Sequence, residues 1–318
     1  MGTKFKVLLY EAMHKEGTRL LEEKCDLVYA QSFEETHLVS LVNDADAVII
    51  RANGAVSRAV IAAGTRLKVI GRHGVGLDGI DLNAAREHGV KVVYTPTANT
   101  ESVAEHFVGL TLMLAKKLRL ADIAVRHGNW KARYELIGTE LQGKTLGILG
   151  FGRIGQQTAR ICRYGFAMAV VYYDVVNYPA VEAELGATRA EIEDVCAQAD
   201  FISINLPMVP ATRGCINSNL IRHMKSSAFL INMARGPIWN EADVLSALKS
   251  GQIAGAGADV FTDEPIFADN PFFTMDNFVG SPHMSAHTDE GMMRMSLVAS
   301  DVLAVLEGRK PEFSVPGL

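Results

Sequence analysis

Residues 145–155 read TLGILGFGRIG, a run of apolar residues followed by the glycine pattern G-x-G-x-x-G. The apolar run predicts a buried strand, and residues 156–164 predict a helix that starts directly after the last glycine. A second apolar run, residues 170–173, follows this helix and ends in Asp174, 24 residues after Gly150. This order is typical of a unit that binds a dinucleotide: a strand, a glycine-rich turn, a helix, and a second strand with an acidic residue at its end.

Each part of this pattern has a physical role. Gly150 permits the tight turn, Gly152 lets the backbone approach a pyrophosphate, and Gly155 lets the helix pack close to the strand. The N–H groups at the start of the helix would then hold the phosphates. Asp174 would accept hydrogen bonds from the adenosine ribose hydroxyls and repel a 2′-phosphate, which favours NAD over NADP. The alternative is a tight strand–helix turn that binds nothing.

Short runs rich in Val and Ile alternate with helix-like stretches along most of the chain, first from Lys6 and again from Lys144. This alternation predicts an α/β fold with parallel sheets covered by helices on both faces. A chain of 318 residues is long enough for about two such domains. A long apolar helix is predicted from about Glu101 to Leu120, as a domain link or a subunit interface, and a last helix from Glu290 to Leu306.

Three late strands of the second series run into polar side chains. Arg235 follows residues 229–234, Glu264 follows residues 256–261, and His283 follows residues 278–280. Ligands of open α/β sheets bind outside the carboxyl ends of the strands, so we expect these three side chains to meet. The alternatives are a surface ion pair for Arg235, a structural role for His283 with His287 as its rival, and Asp259 or Asp263 in place of Glu264.

An Arg, a carboxylate and a His together have a specific chemistry. A planar guanidinium binds a carboxylate through two hydrogen bonds and polarises the adjacent carbonyl. An imidazolium gives its proton to that carbonyl as a hydride arrives, and takes the proton back in the reverse direction. A carboxylate beside the imidazole favours the imidazolium. The set therefore predicts interconversion of a 2-keto acid and a 2-hydroxy acid.

The composition narrows the class of protein. Hydrophobic residues make up 48% of the chain, charged residues 21%, and the formal net charge is −5. A mildly acidic chain without a basic block disfavours nucleic-acid binding, and no apolar run is long enough to span a bilayer. Four scattered cysteines without Cys-x-x-Cys predict reduced thiols in the cytoplasm and no metal site.

Several segments match one family in family order: residues 71–81 (GRHGVGLDGID), 102–106 (SVAEH), 138–145 (GTELQGKT), 150–155, 232–236 (NMARG), 258–265 (ADVFTDEP) and 281–283 (SPH). Over essentially its whole length the chain resembles the D-isomer-specific 2-hydroxyacid dehydrogenases. Within the family it is most similar to phosphoglycerate dehydrogenases that lack a C-terminal regulatory domain. His73 departs from the pattern, because many members carry a small residue there.

The resemblance implies two Rossmann-like domains with an active-site cleft between them. Residues 1–98 and 287–318 would form a discontinuous substrate-binding domain, and residues 99–286 the NAD-binding domain, through which members usually form homodimers. Catalysis would fall to Arg235, Glu264 and His283, with His283 as the acid and base. The further NAD contacts that it implies are Arg153, Ile154, Asp174, Leu206, Pro207, Met233, Ala234, Arg235, Asp259, His283, Ser285 and Ala286.

The substrate is left more open than the reaction. Arg51 and Arg72 follow two strands of the first series and predict a second anionic group on the substrate, such as the phosphate of 3-phosphoglycerate. Arg235 and the backbone near Val75 and Gly76 would hold its carboxylate, and the loop with Asn53 and Gly54 would lie beside it. Arg133 is a candidate to reach a neighbouring subunit. The alternative for the arginines is that they form surface ion pairs. The alternatives for the protein are a hydroxypyruvate or glyoxylate reductase and a non-catalytic NAD-sensing protein.

Overall fold

The computed structural model describes residues 4–318 and divides the chain into two compact units. One unit is discontinuous and joins the chain up to Asn99 with His287–Leu318. The other unit is Thr100–Ala286. Each contains its own parallel sheet, and the predicted α/β class is confirmed.

The sheet of the discontinuous unit has five parallel strands in the order β2-β1-β3-β4-β5. These strands are β1 (Phe5–Leu9), β2 (Cys25–Tyr29), β3 (Ala47–Ile50), β4 (Val69–Arg72) and β5 (Lys91–Tyr94). The helices are α1 (Lys15–Glu22), α2 (Glu35–Val42), α3 (Arg58–Ala63), α4 (Leu82–Glu87), α12 (Asp289–Ser296) and α13 (Val298–Leu306). Strand β3 is AVII and is buried along its whole length, because apolar clusters cover both faces of the sheet.

The sheet of the second unit has seven parallel strands in the order β12-β11-β10-β9-β6-β7-β8. Its strands are β6 (Thr145–Leu149), β7 (Ala169–Tyr173), β8 (Thr188–Arg189), β9 (Phe201–Ile204), β10 (Phe229–Asn232), β11 (Gly255–Ala258) and β12 (Phe278–Gly280). Its helices are α5 (Thr100–Ala115), α6 (Leu118–Arg126), α7 (Arg153–Phe166), α8 (Pro179–Leu185), α9 (Ile192–Gln198), α10 (Ser218–Ile221) and α11 (Glu241–Ser250). Strand order reverses at β6, which lies between β7 and β9.

The two long helices predicted from the sequence are each broken in the structure. The first ends at Ala115, and α6 starts anew after Lys117, whose φ is +53°. The last helix divides into α12 and α13 at Leu297. The apolar pattern continues through both breaks, which is why it predicted single helices.

Two strands were not predicted, and one is shorter than expected. Strand β2 has a mixed burial pattern, and β8 has only two exposed residues, so neither shows the apolar run of a buried strand. The strand predicted to include residues 256–261 ends earlier, as β11, which reads GAGA. These small residues let α5 lie close to the sheet: a Cβ at Gly257 would be 3.3 Å from Leu114 Cδ1.

The carboxyl ends of three adjacent strands place a row of titratable side chains side by side. Leu9 of β1 is level with Ile49 of β3, and Ile50 of β3 is level with Arg72 of β4. Glu11, Arg51 and His73 follow these strand ends, and the charges of Arg51 and Glu11 both act on His73. The backbone N–H of His73 donates to Ile50 O at 2.9 Å, which fixes His73 beside the end of β3.

His73 is buried, with 2% of its surface exposed, and both ring nitrogens lack a hydrogen-bond partner among the described residues. Burial above all, and then the positive charges of Arg51 and Arg72, lower the pKa of His73 to about 4, against a small opposing effect of Glu11. The imidazole is therefore neutral at pH 7.

Within residues 4–318, the structure contains neither a candidate membrane-spanning helix nor a candidate metal site. No helix there is long and apolar enough to cross a membrane, and no group of three or more His, Cys, Asp or Glu side chains could hold a metal ion. Cys25, Cys162 and Cys196 are buried free thiols, and Cys215 is a half-buried one. Burial raises the pKa of the Cys162 and Cys196 thiols to about 12.

We expect the buried His73 to make the protein sensitive to acid. Its pKa of about 4 in the folded state lies below the value of about 6.5 in the unfolded state, so the unfolded state binds more protons between these values. The free energy of unfolding should fall as pH falls from 6.5 to 4. The expected decrease is about 1.4 kcal/mol per pH unit, and about 3 kcal/mol over the whole range. Urea unfolding at several pH values measures this slope.

The variant His73→Asn, which is neutral at every pH, should have a smaller slope than the wild type. The exposed His88 offers a matched control, and His88→Asn should leave the slope unchanged. Equal slopes in the wild type and in His73→Asn would contradict the assignment of a buried neutral imidazole.

Candidate active site

The first glycine of the G-x-G-x-x-G pattern lies where the strand order of the second sheet reverses. Gly150 has a φ of +96°, and its N–H donates to Tyr173 O at 2.9 Å. A Cβ at this position would lie 2.7 Å from the Asn205 carbonyl carbon. Only glycine tolerates both constraints, so the chain turns sharply between the ends of β6, β7 and β9. Open α/β sheets bind ligands at such reversal points.

The backbone after this turn is open on one side. A Cβ at Gly152 would meet no atom within 4 Å, and Gly152 is the N-cap of α7, whose first residue is Arg153. Gly155 is tightly packed instead, because its Cβ would lie 2.4 Å from Gly150 O. A bare backbone at a helix N-terminus fits the pyrophosphate of a dinucleotide.

Asp174 is held at the end of β7 by backbone groups. Its Oδ2 accepts a hydrogen bond from Phe151 N at 2.6 Å, and its Oδ1 accepts one from Val176 N at 2.9 Å. Arg189 donates to the Asp174 carbonyl oxygen from Nε at 3.1 Å and from Nη2 at 2.8 Å. Arg189 was not predicted, because it is 15 residues away and only the pairing of β7 with β8 brings it near.

A concave surface beside the end of β7 is lined by both apolar and polar side chains. Tyr173, Leu206 and Thr212 are among its lining residues. Leu206 is buried and Pro207 is exposed, and the Pro207 carbonyl accepts a hydrogen bond from the Thr212 hydroxyl at 2.6 Å. This hydrogen bond orders the loop that follows β9.

Arg235 follows β10 in a loop that a buried asparagine organises. Asn232 Nδ2 donates to Arg235 O at 3.0 Å, and Asn232 Oδ1 accepts from Ala234 N at 3.1 Å. The guanidinium Nη1 donates to Ala234 O at 2.7 Å, while Met233 and Ala234 are themselves buried.

The loop with Arg235 lies directly against the loop that leads to Glu264. A Cβ at Gly236 would be 1.9 Å from the Phe261 carbonyl carbon, so no other residue fits between the two backbones. The positive charge of Arg235 is close enough to act on the Glu264 carboxylate.

Glu264 and His283 form a hydrogen-bonded pair, with Glu264 Oε2 2.7 Å from His283 Nδ1. The other carboxylate oxygen accepts from Phe261 N at 2.9 Å. Burial raises the pKa of Glu264, but the hydrogen bonds from His283 and Phe261 and the charge of Arg235 outweigh it and lower the pKa below its ordinary value. An ionised Glu264 accepts a hydrogen bond from Nδ1–H, which leaves Nε2 of the half-exposed imidazole available.

Asp259 fixes the backbone on which His283 lies. Its carbonyl oxygen accepts from His283 N at 2.8 Å, and the φ of His283 is +49°. Its buried carboxylate accepts from the Ser281 hydroxyl at 2.6 Å, from Met284 N at 2.9 Å and from Ser285 N at 2.8 Å. Asp259 therefore contacts the loop around His283, while Glu264 contacts its ring.

His106 extends this network and was not singled out from the sequence. Its Nε2 is 2.8 Å from Ser281 Oγ and 3.7 Å from Asp259 Oδ1. Its place within segment 102–106 (SVAEH), which carries the family resemblance, was the available signal.

The predicted substrate contacts Arg51, Asn53, Gly54, Arg72, Val75 and Gly76 lie in the discontinuous unit. Glu11 shapes the first loop: its carboxylate accepts from Ala52 N, Asn53 N and Asn53 Nδ2 at 2.7–2.9 Å. Burial raises the pKa of Glu11, but these hydrogen bonds and the charge of Arg51 outweigh it and lower the pKa overall. Arg72 Nε donates to Gly76 O at 2.5 Å and so closes the second loop.

The rival histidine lies in this unit as well, beside Arg51. Arg51 Nη2 is 3.4 Å from His287 Nε2 and 3.6 Å from Met292 Sδ. Of the two candidates, His283 lies in the unit of the G-x-G-x-x-G pattern, and its ring is hydrogen-bonded to Glu264.

Residues 108–285 match a family model described as "D-isomer specific 2-hydroxyacid dehydrogenase, NAD binding domain". The chain is 38% identical over 309 residues to the D-3-phosphoglycerate dehydrogenase of Methanocaldococcus jannaschii. This match covers 96% of the chain and 58% of that relative, so the chain spans little more than half the length of this relative.

Solved structures show the same fold. The TT0316 protein of Thermus thermophilus is 32% identical with a TM-score of 0.92, covering 98% of this chain and all of that one. The pyruvate reductase of Chlamydomonas reinhardtii is 29% identical with a TM-score of 0.86, covering 97% of this chain and 98% of that one. A family model over more than half of the chain, and a relative 38% identical over 96% of it, show that the chain belongs to the D-isomer-specific 2-hydroxyacid dehydrogenase family.

Proposed function

We propose that the protein is an NAD-dependent oxidoreductase that interconverts a D-2-hydroxy acid and its 2-keto acid. The observation that carries this proposal is the His283–Glu264 pair at 2.7 Å, in the same unit as the dinucleotide pattern. When bound, NAD⁺ would supply the acceptor for the hydride that leaves C2 of the hydroxy acid. His283 Nε2 takes the hydroxyl proton as the C2–O bond becomes a carbonyl, and returns it in the reverse direction.

Arg235 and Glu264 support this proton transfer in different ways. Arg235 would bind the substrate carboxylate and polarise the carbonyl, because a guanidinium offers two parallel N–H donors. Glu264 is ionised, since its pKa is lowered, and it stabilises the imidazolium and fixes the ring orientation. Asp259 positions His283 by holding residues 283–285.

The cofactor contacts follow from the same unit. The pyrophosphate would be held by the backbone at Gly150, Gly152 and Gly155, together with Arg153 and Ile154. Asp174 would bind the adenosine ribose. Leu206 and Pro207 would contact the adenine, and Met233, Ala234, Ser285 and Ala286 the nicotinamide side. The Asp174 carboxylate supports NAD over NADP, since Arg189 is directed to the Asp174 carbonyl oxygen.

For the substrate we propose a 2-hydroxy acid with a second anionic group, such as 3-phosphoglycerate. The position of Arg51 and Arg72 at the carboxyl ends of β3 and β4 supports this, as does the name of the relative from Methanocaldococcus jannaschii. The discontinuous unit would then be the substrate-binding domain. The similar pyruvate reductase makes a monoanionic 2-keto acid the second candidate.

We also propose that the protein is a homodimer in the cytoplasm. Helix α6 has no buried residue, and the segment 118–137 exposes a patch of large apolar side chains. Its members are Leu118, Ile123, Val125, Trp130, Tyr134 and Ile137. A second copy would cover this patch, and a reducing compartment suits the free thiols. Arg133 stacks on Trp130 and Tyr134 and would lie within this interface.

The reaction is tested by following NADH oxidation with a panel of 2-keto acids between about pH 5 and 10, with NADPH for comparison. Reduction should slow as pH rises, because it consumes imidazolium. His283→Ala should lower kcat by about 10²–10⁴-fold, the usual contribution of an acid–base group. Glu264→Gln should move the fall in rate to lower pH, because a neutral amide stabilises imidazolium less than a carboxylate does.

The exposed neighbour Asp263 provides the control, and Asp263→Asn should keep the wild-type pH profile. Near-normal turnover by His283→Ala would overturn the assignment of the proton donor. If the wild type reduces none of the 2-keto acids, the proposed reaction is overturned. If NADPH supports the reaction as efficiently as NADH, the preference for NAD is overturned.

The open backbone at Gly152 predicts a selective loss of cofactor binding. Gly152→Ala adds a methyl group that meets no protein atom, so thermal stability should be unchanged. The methyl group would lie in the path of the pyrophosphate, and the Kd for NADH should rise by about 10-fold or more, the equivalent of one lost hydrogen bond. Gly165→Ala, also open and in the same helix, should leave the Kd for NADH unchanged.

The apolar patch predicts that one charge will dissociate the dimer. Light scattering should give a mass near twice 34.5 kDa for the wild type and near 34.5 kDa for Trp130→Glu, whose side chain is 68% exposed in the single chain. Tyr164→Glu, at a 65% exposed residue outside the patch, should remain dimeric. A monomeric wild type would refute the proposed interface.

A further inference from the structure

His106 lies on α5, which packs against β11 and β12, and the proposed proton transfer assigns it no role. Val103 and Leu110, three residues before it and four residues after it, lie on the same side of the helix and are buried. The His106 side chain is only 22% exposed among these apolar neighbours. Its polar atoms have lost water on this side, and hydrogen bonds within the protein must replace that water.

The direction of the hydrogen bonds shows where the proton of His106 lies. The carboxylate oxygens of Asp259 accept from backbone N–H groups, Oδ1 from Met284 and Oδ2 from Ser285. The Ser281 hydroxyl, 2.6 Å from Asp259 Oδ1, therefore gives its one proton to this carboxylate. Because that proton is used, Ser281 Oγ accepts from His106 Nε2 at 2.8 Å, and Nε2 carries a hydrogen.

The hydrogen bonds that start at His106 end at the loop of His283. Hydrogen bonds in a chain polarise one another, so the bond from His106 strengthens the bond from Ser281 to Asp259. Asp259 is buried, and its carbonyl oxygen accepts from His283 N at 2.8 Å. A fixed Asp259 thereby supports the left-handed conformation of His283, whose ring is hydrogen-bonded to Glu264.

We propose that His106 is a positioning residue for the proton transfer at His283. It holds the Ser281 hydroxyl against the Asp259 carboxylate, and so keeps the loop in the position that proton transfer requires. Because His106 acts through these two side chains, its loss should slow the reaction without weakening the binding of NADH. This inference rests on the proposed function, because it concerns the acid and base of that reaction.

A pair of amide variants isolates the donor at Nε2. The amide nitrogen of glutamine is as many bonds from Cα as Nε2 of histidine, whereas the amide nitrogen of asparagine is one bond closer. His106→Asn should therefore lower kcat by about 10-fold, the equivalent of one lost hydrogen bond. His106→Gln should restore most of the wild-type kcat. The KM for the 2-keto acid and the Kd for NADH should be unchanged in both variants.

Stability measurements separate positioning from packing. His106→Leu removes the donor but suits the apolar side of α5, so its Tm should stay near that of the wild type while kcat falls by about 10-fold. If the imidazole served only to pack α5, leucine would replace it and kcat would not fall. His88→Leu, at an exposed histidine, is the control and should keep the wild-type kcat.

A double substitution tests whether His106 acts through Ser281. Ser281→Ala removes both the acceptor for His106 and the donor to Asp259, so kcat should fall at least as far as in His106→Asn. In the Ser281→Ala background, His106→Asn should have no further effect on kcat, because residues that act through one another are not additive. Effects of the two substitutions that multiply independently would contradict this chain of hydrogen bonds.

The hydrogen-bond chain is also observable without turnover. In protein labelled with ¹⁵N at histidine, the His106 signals are those missing from His106→Gln. At alkaline pH they should show the hydrogen on Nε2, and Ser281→Ala should shift the Nε2–H signal. A hydrogen on Nδ1 instead would overturn the proposal.

The two readouts together separate this proposal from the proposed reaction. If the Nε2–H signal responds to Ser281→Ala but the wild type reduces no 2-keto acid, the chain of hydrogen bonds stands and the proposed reaction fails. If the wild type reduces 2-keto acids but His106→Asn and His106→Leu both keep the wild-type kcat, the positioning role of His106 is overturned.

Discussion

The buried carboxylate of Asp259 supports the loop on which the candidate chemistry depends. A buried charge is costly unless hydrogen bonds satisfy it, and three donors from residues 281–285 do so here. The same residue accepts the His283 N–H with its carbonyl, and His283 keeps a left-handed backbone conformation. The ring of His283 is thereby presented to Glu264, and its second nitrogen remains available for a substrate.

The two units use the carboxyl ends of their strands in different ways. In Thr100–Ala286, two loops pass so close to each other that only glycine fits at residue 236, and the charge of Arg235 lowers the pKa of Glu264. In the discontinuous unit, Glu11, Arg51 and His73 follow paired strands, and hydrogen bonds tie Glu11 to the loop after β3 and His73 to the end of β3. Parallel strands present all their carboxyl ends at one edge of a sheet, which makes such alignment possible with residues distant in sequence.

The charges of the two regions also differ in kind. Around His283 an ionised carboxylate faces the imidazole, as proton transfer requires. Around His73 basic side chains predominate and burial keeps the imidazole neutral. A carboxylate partner favours the imidazolium, whereas burial beside two arginines disfavours it. Two histidines of one chain therefore lie in opposite electrostatic surroundings.

The sequence by itself determined the α/β class, the dinucleotide turn and the candidate Arg235, Glu264 and His283. These depend on patterns within a few residues, where glycines and strand ends follow from local geometry. Only the tertiary structure decided that Arg189 meets Asp174, that Asp259 holds the His283 loop, and that His73 is buried without a partner among the described residues. It also placed the helix break at Lys117, inside a continuous apolar pattern. Each of these depends on which strands and helices pack together, and burial and charge at a residue depend on neighbours that its local sequence does not specify.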